Sequence, residues 1–550
     1  MGKIFGTDGI RGLAVSNERR DEDSIARFID NREFSCGLIQ LVGEALGVWL
    51  RPTGEGKPQV VVGWDARPLN PSLASALTVG LHLSGCHVTW IGECATPGLH
   101  ASILETGADA GCMITASHNP VTDSGIKIFD GNGYKTFPEK EGHLEELMFQ
   151  LSAEERGSAN EERAFLAKPD SQIDGKAIHV NLIKNRLEPI KERFLSNASV
   201  HDIVPSEGLL LDSSKGVAHT WLAAWMSEKL VPTVELSSDC QALNKGCGAG
   251  ELSPTLRMSW EELVNGKHDH VLFTSLANRA NNNWTAGLIV GAALDGDGDR
   301  CLLIRVDSKN EGVEVVDGDL MLDRLVKAAK NTDSIGEGMI AASIESDLSL
   351  LTSLQDLDPA LMCAETAVGD RWLAAALKPK NSGEELLQGI EEPFRIGSED
   401  SGHILMTTPC SQVEAKWGLV GDGAITLLAT LCAMASSVQE DEFAAGWKSR
   451  QSISPSDRSK WDGTNENAQL ILELLNNRHP DVSWKTERVN GEENLLLVKG
   501  EVQGYLCSVA VRNSGTQAKT SISIRTTGIN MESLIQELIS SLEPKLKINQ

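Results

Sequence analysis

Several large classes of protein are excluded by what this 550-residue chain lacks. It has no long unbroken apolar run. The longest apolar stretches, near Trp284–Leu294 and Ala424–Ala435, are too short to span a bilayer. The N-terminus, MGKIFGTDGIRG, is punctuated by glycine and aspartate and holds no apolar signal core. No CxxC pair and no Cys/His metal spacing occurs among 11 cysteines scattered from Cys36 to Cys507, so neither a zinc site nor a disulfide framework is expected. They read as reduced thiols, buried as small apolar residues, of a cytoplasmic protein. Basic residues are in deficit: 50 Lys plus Arg stand against 77 Asp plus Glu, a net charge of −27. That balance argues against nonspecific nucleic-acid binding and against docking on an anionic membrane, but leaves room for a local basic pocket that takes small phosphates.

What is present is the balance of a soluble globular protein, 41% hydrophobic and 23% charged, long enough for three or four domains and a core that needs no staples. Gln59–Arg67 (QVVVGWDAR), Gly208–Gly216 (GLLLDSSKG) and Gly338–Asp347 (GMIAASIESD) each run apolar residues into a small or acidic turn. Helix-like segments follow at Pro71–Leu83, Val217–Lys229 and Leu348–Leu354. This strand–turn–helix unit predicts three similar α/β domains with mixed sheets, although no residue-by-residue repeat is visible. Glu139–Ala167, rich in Glu, Lys and Ala with leucines at helical spacing, reads as a surface helical insertion. The polar run Gln451–Asn467 reads as a linker. Beyond it, a helix at Ala468–Asn477, strand-like runs at Asn494–Val498 and Leu506–Arg512 and a last helix at Met531–Glu543 predict a small C-terminal α+β domain.

Four loops carry chemistry. In Leu294–Arg300 (LDGDGDR), Asp295, Asp297 and Asp299 alternate with glycine, so a tight turn can aim three carboxylates at one point, which suits Mg²⁺ or Ca²⁺. An EF-hand would need glycine and glutamate where Arg300 and Val306 stand, so that reading fails. In Met113–Lys127 (MITASHNPVTDSGIK), a strand at Ala110–Ile114 delivers Ser117 to a loop beside His118, with Lys127 ten residues on. Ser117 lacks the glycines of a hydrolase elbow, and His118, its immediate neighbour, is badly placed to act as its base. Val511–Lys519 (VRNSGTQAK) ends a strand at Arg512, with Ser514, Gly515, Thr516 and Lys519 able to form an anion nest. In Ile396–His403 (IGSEDSGH), Glu399 and Ser401 could bind sugar hydroxyls and His403 could donate to phosphate.

Taken in order, TASHNP, DGDGDR, GSEDSGH and RNSGT resemble the α-D-phosphohexomutases, and FGTDGIRG at Phe5–Gly12 looks most like their phosphoglucosamine mutase branch. VGDRW (Val368–Trp372), VDGD (Val316–Asp319) and GDGA (Gly421–Ala424) are smaller matches. The resemblance implies domains around a central cleft: 1–170 with the phosphoserine and the helical segment near 139–167, 171–303 with the metal, 304–445 for sugar recognition and 446–550 for phosphate binding. It implies that Ser117 is a phosphoserine nucleophile holding one Mg²⁺ together with Asp295, Asp297 and Asp299. Arg11 and Arg300 match arginines near the phosphoserine, Lys127 a candidate general acid or base, and His118 and His403 histidines of the catalytic loops. Arg512, Ser514, Gly515, Thr516 and Lys519 would hold the non-reacting phosphate, and Glu399 and Ser401 the sugar. The implied activity exchanges glucosamine 6-phosphate and glucosamine 1-phosphate through a sugar bisphosphate, which also activates the enzyme, and so feeds UDP-N-acetylglucosamine and cell-envelope synthesis. Mannose or glucose phosphates are the alternative substrates. The partners implied are small sugar phosphates, with the chain a monomer or homodimer.

The chain departs from the family pattern at Ser124, Ser398 and Asp400, at Glu345–Asp347, and at Gln517. Ser521 stands where an arginine is usual nine residues after Arg512, with Lys519 a possible substitute. These changes spare the phosphoryl chemistry and bear on the sugar. The implied reorientation of the intermediate predicts a hinge at the polar linker.

Overall fold

The computed structural model describes residues 4–548 apart from 7, 18–19, 52–55, 155–159, 281–283, 379–385, 411–414, 437–440 and 515–517. Four sheets follow one another along the chain. The first has seven strands, in spatial order Glu33–Ser35, Ile10–Val15, Asp123–Asp130, Ala110–Ile114, Gln59–Trp64, His87–Glu93 and Ser171–Gln172. Asp123–Asp130 runs against all the others. Pairing Met113 with Lys127 in adjacent strands puts the ends of the serine loop and the lysine side by side.

The second sheet has six strands: Arg257–Ser259, Gly312–Val316, Cys301–Val306, Ile289–Leu294, Leu209–Asp212 and Thr233–Glu235. Its central hairpin, Ile289–Leu294 against Cys301–Val306, is wholly buried and carries the aspartate loop at its turn. A boundary at 303 would cut this hairpin. The return strand and its neighbour Gly312–Val316 pair within the same sheet, so the second sheet ends at Val316. The third sheet, also six-stranded, is built around Met339–Ser343, Arg395–Ser398, Ile404–Pro409 and Lys416–Gly421. The second and third sheets share one apolar core, to which helices Gly175–Phe194, Gly318–Asn331 and Gly423–Ser436 contribute.

The fourth sheet is five-stranded and antiparallel: Trp447–Ile453, Thr520–Thr526, Tyr505–Asn513, Leu496–Val502 and Lys485–Glu487. With helices Glu466–Arg478 and Glu532–Leu546 it forms its own core. Here the reading of Gln451–Asn467 as a linker is corrected: its first residues belong to an edge strand, so the connection to the third sheet, and any hinge, lies before Trp447. The strand looks polar because one face of it meets charged groups of the third sheet rather than the core.

The segment read as a surface insertion also packs inward. In Pro138–Ser152, Leu144, Met148 and Leu151 recur at helical spacing and are buried in the core of the first sheet, against helix Cys36–Trp49. Asn160–Leu166 follows, and the Leu166 carbonyl lies 2.7 Å from the His82 ring. One apolar stripe among many charges is enough to seat such a helix, which composition alone hides. Among the described residues no helix is long and apolar enough to cross a membrane.

Candidate active site

Ser117 follows the strand Ala110–Ile114 and is fully buried, with φ +52°. A serine in the left-handed region is strained and must be held there by its surroundings. Its amide donates to Thr115 Oγ1 at 2.8 Å, and Thr115 donates to Asp65 at 2.7 Å. Arg67 donates to the carbonyls of Ser117 (2.8 Å), Asn119 (2.9 Å) and Asp123 (2.8 Å). Asn244, from the second domain, donates to the Ser117 and Asn119 carbonyls at 2.7 and 2.9 Å. The loop is therefore clamped from two domains. Burial pushes the Asp65 carboxyl up to about 6, against the pull of Arg67 and Thr115.

The hydroxyl of Ser117 donates to Asp295 Oδ2 at 2.8 Å. Asp295, Asp297 and Asp299 are buried and offer oxygens within 4.8 Å of one another. Two glycines make the approach possible. A Cβ on Gly296 would fall 2.8 Å from the Ser117 carbonyl oxygen, and Gly298 sits at φ +71°. Asp295 Oδ1 accepts the amides of Asp299 and Arg300 at 3.1 and 3.2 Å, fixing the turn. Thr96 donates its hydroxyl to Asp297 at 2.5 Å. Burial, then the charges of Asp299 and Asp297, push the Asp295 carboxyl well above its usual range. Burial acts the same way on Asp299, but Lys127, His403, Lys135 and Arg300 outweigh it and hold that carboxyl far down.

Asp297 Oδ1 and Asp299 Oδ1 are buried with no hydrogen-bond partner. Buried carboxylate oxygens left this way are costly, and three hard oxygens clustered beside a hydroxyl fit a divalent cation such as Mg²⁺. Lys127 supplies positive charge here, its Nζ lying 2.6 Å from Asp297 and 2.7 Å from Asp299. Burial works against its charge, but Asp297, Asp299 and Asp8 raise its pKa well above that of a free lysine. In this arrangement Lys127 is a charged donor. To accept a proton it must first leave the carboxylates.

Arg11 and Arg300 border the same centre. Arg11 donates to Asp8 at 2.5 Å, and Arg300 Nε lies 3.8 Å from Asp295 and 3.9 Å from Asp299. Both Nε groups are buried without a partner. His118 is half-buried, its Nδ1 shielded and without a hydrogen-bond partner. Burial, with Arg300 and Arg11 nearby, keeps the ring neutral.

The loop Ile396–His403 lies against the aspartate loop: the Cys301 amide donates to the Gly402 carbonyl at 3.0 Å. Its His403 Nε2 is 3.5 Å from Asp370, which with Asp8 flanks Lys135 at 2.8 and 2.7 Å. His403, Lys135, Asp370, Arg371, Tyr134 and Asp299 line one small cavity. Glu399 accepts the Gly369 amide at 2.8 Å, and burial raises its pKa despite His403 and Arg300. Ser401 is half-buried two residues on.

The fourth sheet places Arg512 3.0 Å from Glu345 and 3.8 Å from Glu492. Ser514 is half-buried, its amide donating to the Lys519 carbonyl at 2.9 Å. Lys519 is half-buried, its pKa lowered by burial and by Arg450 and Arg512 although Glu345 opposes them. Gly515 and Thr516 lie outside the described residues. Sequence reasoning missed Asp8, Arg67, Thr96, Lys135, Asn244, Asp370 and Arg450, which reach the site from far along the chain. Of these, Asp8 (FGTDGIRG), Arg67 (QVVVGWDAR) and Asp370 (VGDRW) fell inside quoted segments.

A serine hydroxyl on a three-carboxylate centre bordered by arginines, beside the loop Ile396–His403, is suited to phosphoryl transfer in an α/β enzyme. The family profiles "Phosphoglucomutase/phosphomannomutase, alpha/beta/alpha domain I" and "domain III" match residues 2–155 and 317–448, together just over half of the chain. The chain belongs to this family. It is a phosphohexomutase, an isomerase, and most like the phosphoglucosamine mutases. It is 28% identical to phosphoglucosamine mutase of Roseobacter denitrificans over 80% of each chain. It is 26% identical to that of Staphylococcus aureus over 100% of both. A phosphoglucomutase/phosphomannomutase family protein of Burkholderia thailandensis shares the fold at TM-score 0.60 and 19% identity, over 99% of each chain. N-acetylphosphoglucosamine mutase of Aspergillus fumigatus, solved with GlcNAc-6P and magnesium, does so at TM-score 0.52 and 14% identity, over 99% of this chain and 96% of the other.

Proposed function

We propose that the chain interconverts glucosamine 6-phosphate and glucosamine 1-phosphate, with Ser117 carrying the phosphoryl group. The contact of the Ser117 hydroxyl with Asp295 at 2.8 Å, inside the aspartate cluster, is the observation that carries this reading. The substrate follows the names of the relatives that match the chain from end to end.

Asp295, Asp297, Asp299 and the serine oxygen would hold Mg²⁺, which when bound supplies charge neutralisation for the transferring phosphoryl group. In the first transfer the bond between phosphorus and Ser117 Oγ breaks and a bond to the free sugar hydroxyl oxygen forms. That hydroxyl gives its proton to a nearby base, and the freed Ser117 Oγ takes one up. The product is a sugar bisphosphate. After the sugar turns over, its other phosphate passes to Ser117 Oγ, which gives up its proton, and the sugar oxygen released takes one. Arg11 and Arg300, with buried donors to spare, would stabilise the negative oxygens of the transferring group. Lys127, held charged by Asp297 and Asp299, is suited to give the proton rather than take it. Neutral His118 would position phosphate oxygens as a hydrogen-bond donor. Glu399, Ser401 and His403 would grip the sugar, and Arg512, Ser514, Gly515, Thr516 and Lys519 the phosphate that does not react.

Intact mass and coupled mutase assays test this on the wild type and on Ser117→Ala. The expected result is a phosphate adduct and glucosamine phosphate activity in the wild type, both lost in the variant. An adduct with activity only on mannose or glucose 6-phosphate would change the sugar. Equal activity in Ser117→Ala would overturn the mechanism.

A further inference from the structure

The fourth sheet turns a polar face toward the third. Arg512 pairs with Ser521, and Ser521 with Ser452; one step along, Ala510 pairs with Ser523, and Ser523 with Arg450. Opposed residues, and those two apart, share a face of a sheet, so Arg450 and Arg512 stand on the same face with Ser521 between their strands. The other face holds Val509, Val511, Ile522 and Ile524 in the core.

Both arginines converge on one carboxylate. Arg450 Nη2 is 3.1 Å from Glu345 Oε2, and Arg512 Nη2 is 3.0 Å from Glu345 Oε1. Two guanidiniums one carboxylate apart are spaced for a phosphate, which offers the same paired oxygens with more charge. The Arg450 side chain is 36% exposed, against 16% for Arg512, so it is open to a ligand. Its other partner is Asp400, at 2.9 Å. Ser521 brings no charge between them, and Lys519 makes no ion pair among the described residues.

We propose that Arg450 is a further binding residue for the non-reacting phosphate of the sugar substrate, acting with Arg512, and that Glu345 occupies their shared position until a phosphate ester displaces it. This rests on the mutase reading above. It adds a residue from the first strand of the C-terminal sheet, just before the run that reads as linker, and makes Glu345 an internal competitor of the substrate.

Binding is measured by calorimetric titration of full-length Ser117→Ala protein, which separates affinity from turnover, with glucosamine 6-phosphate and with inorganic phosphate as probes. Adding Arg450→Ala is expected to weaken both by about 10–100-fold, the range for a lost charged hydrogen bond. Adding Glu345→Gln, which keeps the shape and removes the charge, is expected to tighten both about 3–10-fold, since a competing anion is lost. Adding Ser521→Arg to the Arg450→Ala protein is expected to recover most of the affinity, because position 521 lies between the two strands. If Arg450 only braced the domain contact, Arg450→Ala and Glu345→Gln would both weaken binding and Ser521→Arg would not help; that pattern overturns the proposal. So does an Arg450→Ala protein that binds within twofold of its parent. A parent that binds neither probe also overturns it. If the wild type still carries its phosphate adduct and mutase activity, the function reading survives that failure.

Discussion

Two carboxylates, buried Asp295 and half-buried Glu345, sit in dense charge clusters and are driven in opposite directions. Asp295 is pushed well up by burial and by its neighbours Asp299 and Asp297. Glu345 is brought down to about 2, because Arg450 and Arg512 outweigh burial. The aspartate centre gathers like charges around Lys127 and leaves two carboxylate oxygens without hydrogen-bond partners. The arginine cluster is matched: Lys448 meets Asp317 and Asp319 at 2.9 and 2.7 Å, Arg450 meets Asp400 and Glu345, and Arg525 meets Glu365 at 3.2 Å. The first region leaves carboxylate oxygens without hydrogen-bond partners and suits a metal. The second satisfies itself and suits an anion that can replace one of its own carboxylates.

The sharpest way to break this contrast is Asp297→Asn. Removing one of the crowded charges should weaken Mg²⁺ binding, read by calorimetry, and lower kcat by about 10²–10³, as loss of a preorganised electrostatic group does elsewhere. Chelation should abolish wild-type activity, and Mg²⁺ should restore it. Unchanged metal affinity and rate in Asp297→Asn would make the two clusters the same kind of object.

Next in size is Arg512→Ala. KM for the sugar phosphate should rise about 10–100-fold with a smaller change in kcat, because the group lost is one that binds before and during reaction alike. A fall in kcat at constant KM would instead put Arg512 with the reacting phosphate.

How far the sequence revealed these regions follows from what each is made of. The aspartate centre is built from contiguous loops: Ser117 and His118 in one, Asp295 to Arg300 in another, Glu399 to His403 in a third. Each loop shows its residue types at short spacing, so the chemistry could be read. The braces could not. Arg67 reaches the serine loop from 50 positions away, Asn244 from 127, and neither sits in a pattern of its own. The arginine cluster was half visible. Arg512 announced itself in RNSGT, whereas Arg450 lies in a strand whose polar face resembles a linker until the third sheet is placed against it. The helix Pro138–Ser152 was misread for a similar reason, since three buried residues on one stripe do not change a charged composition.

The pH dependence of stability sharpens the contrast from the other side. The folded pKa of Glu345, about 2, lies below the ordinary glutamate value, so its pairing contributes stability that is complete above about pH 4.5 and fades as pH falls toward 2. With Arg450 one-third exposed, solvent screening limits this contribution to about 1–2 kcal/mol at neutral pH. Glu345→Gln should be less stable by about that much at pH 7 and should match the wild type near pH 2, with a flatter profile between. Denaturant unfolding from pH 2 to 7 checks this. A parallel pair of profiles would mean that Glu345 is not held by the arginines in solution.

The smallest effect belongs to Lys499, and it decides whether charge density alone makes this contact matter. Lys499 lies between Glu365 and Glu487, 2.8 Å from each, with its side chain 28% exposed. It joins the same two sheets as Arg450 does, but shares no carboxylate with Arg512 among the described residues. A partly exposed pair of this sort contributes about 0–1 kcal/mol, so Lys499→Ala should shift stability by no more than that and leave KM unchanged. If Lys499→Ala raised KM as Arg450→Ala is expected to, the effect of Arg450 would have to come from domain closure rather than from contact with phosphate. The geometry argues otherwise, because Arg450 shares the Glu345 carboxylate with Arg512 and Lys499 does not.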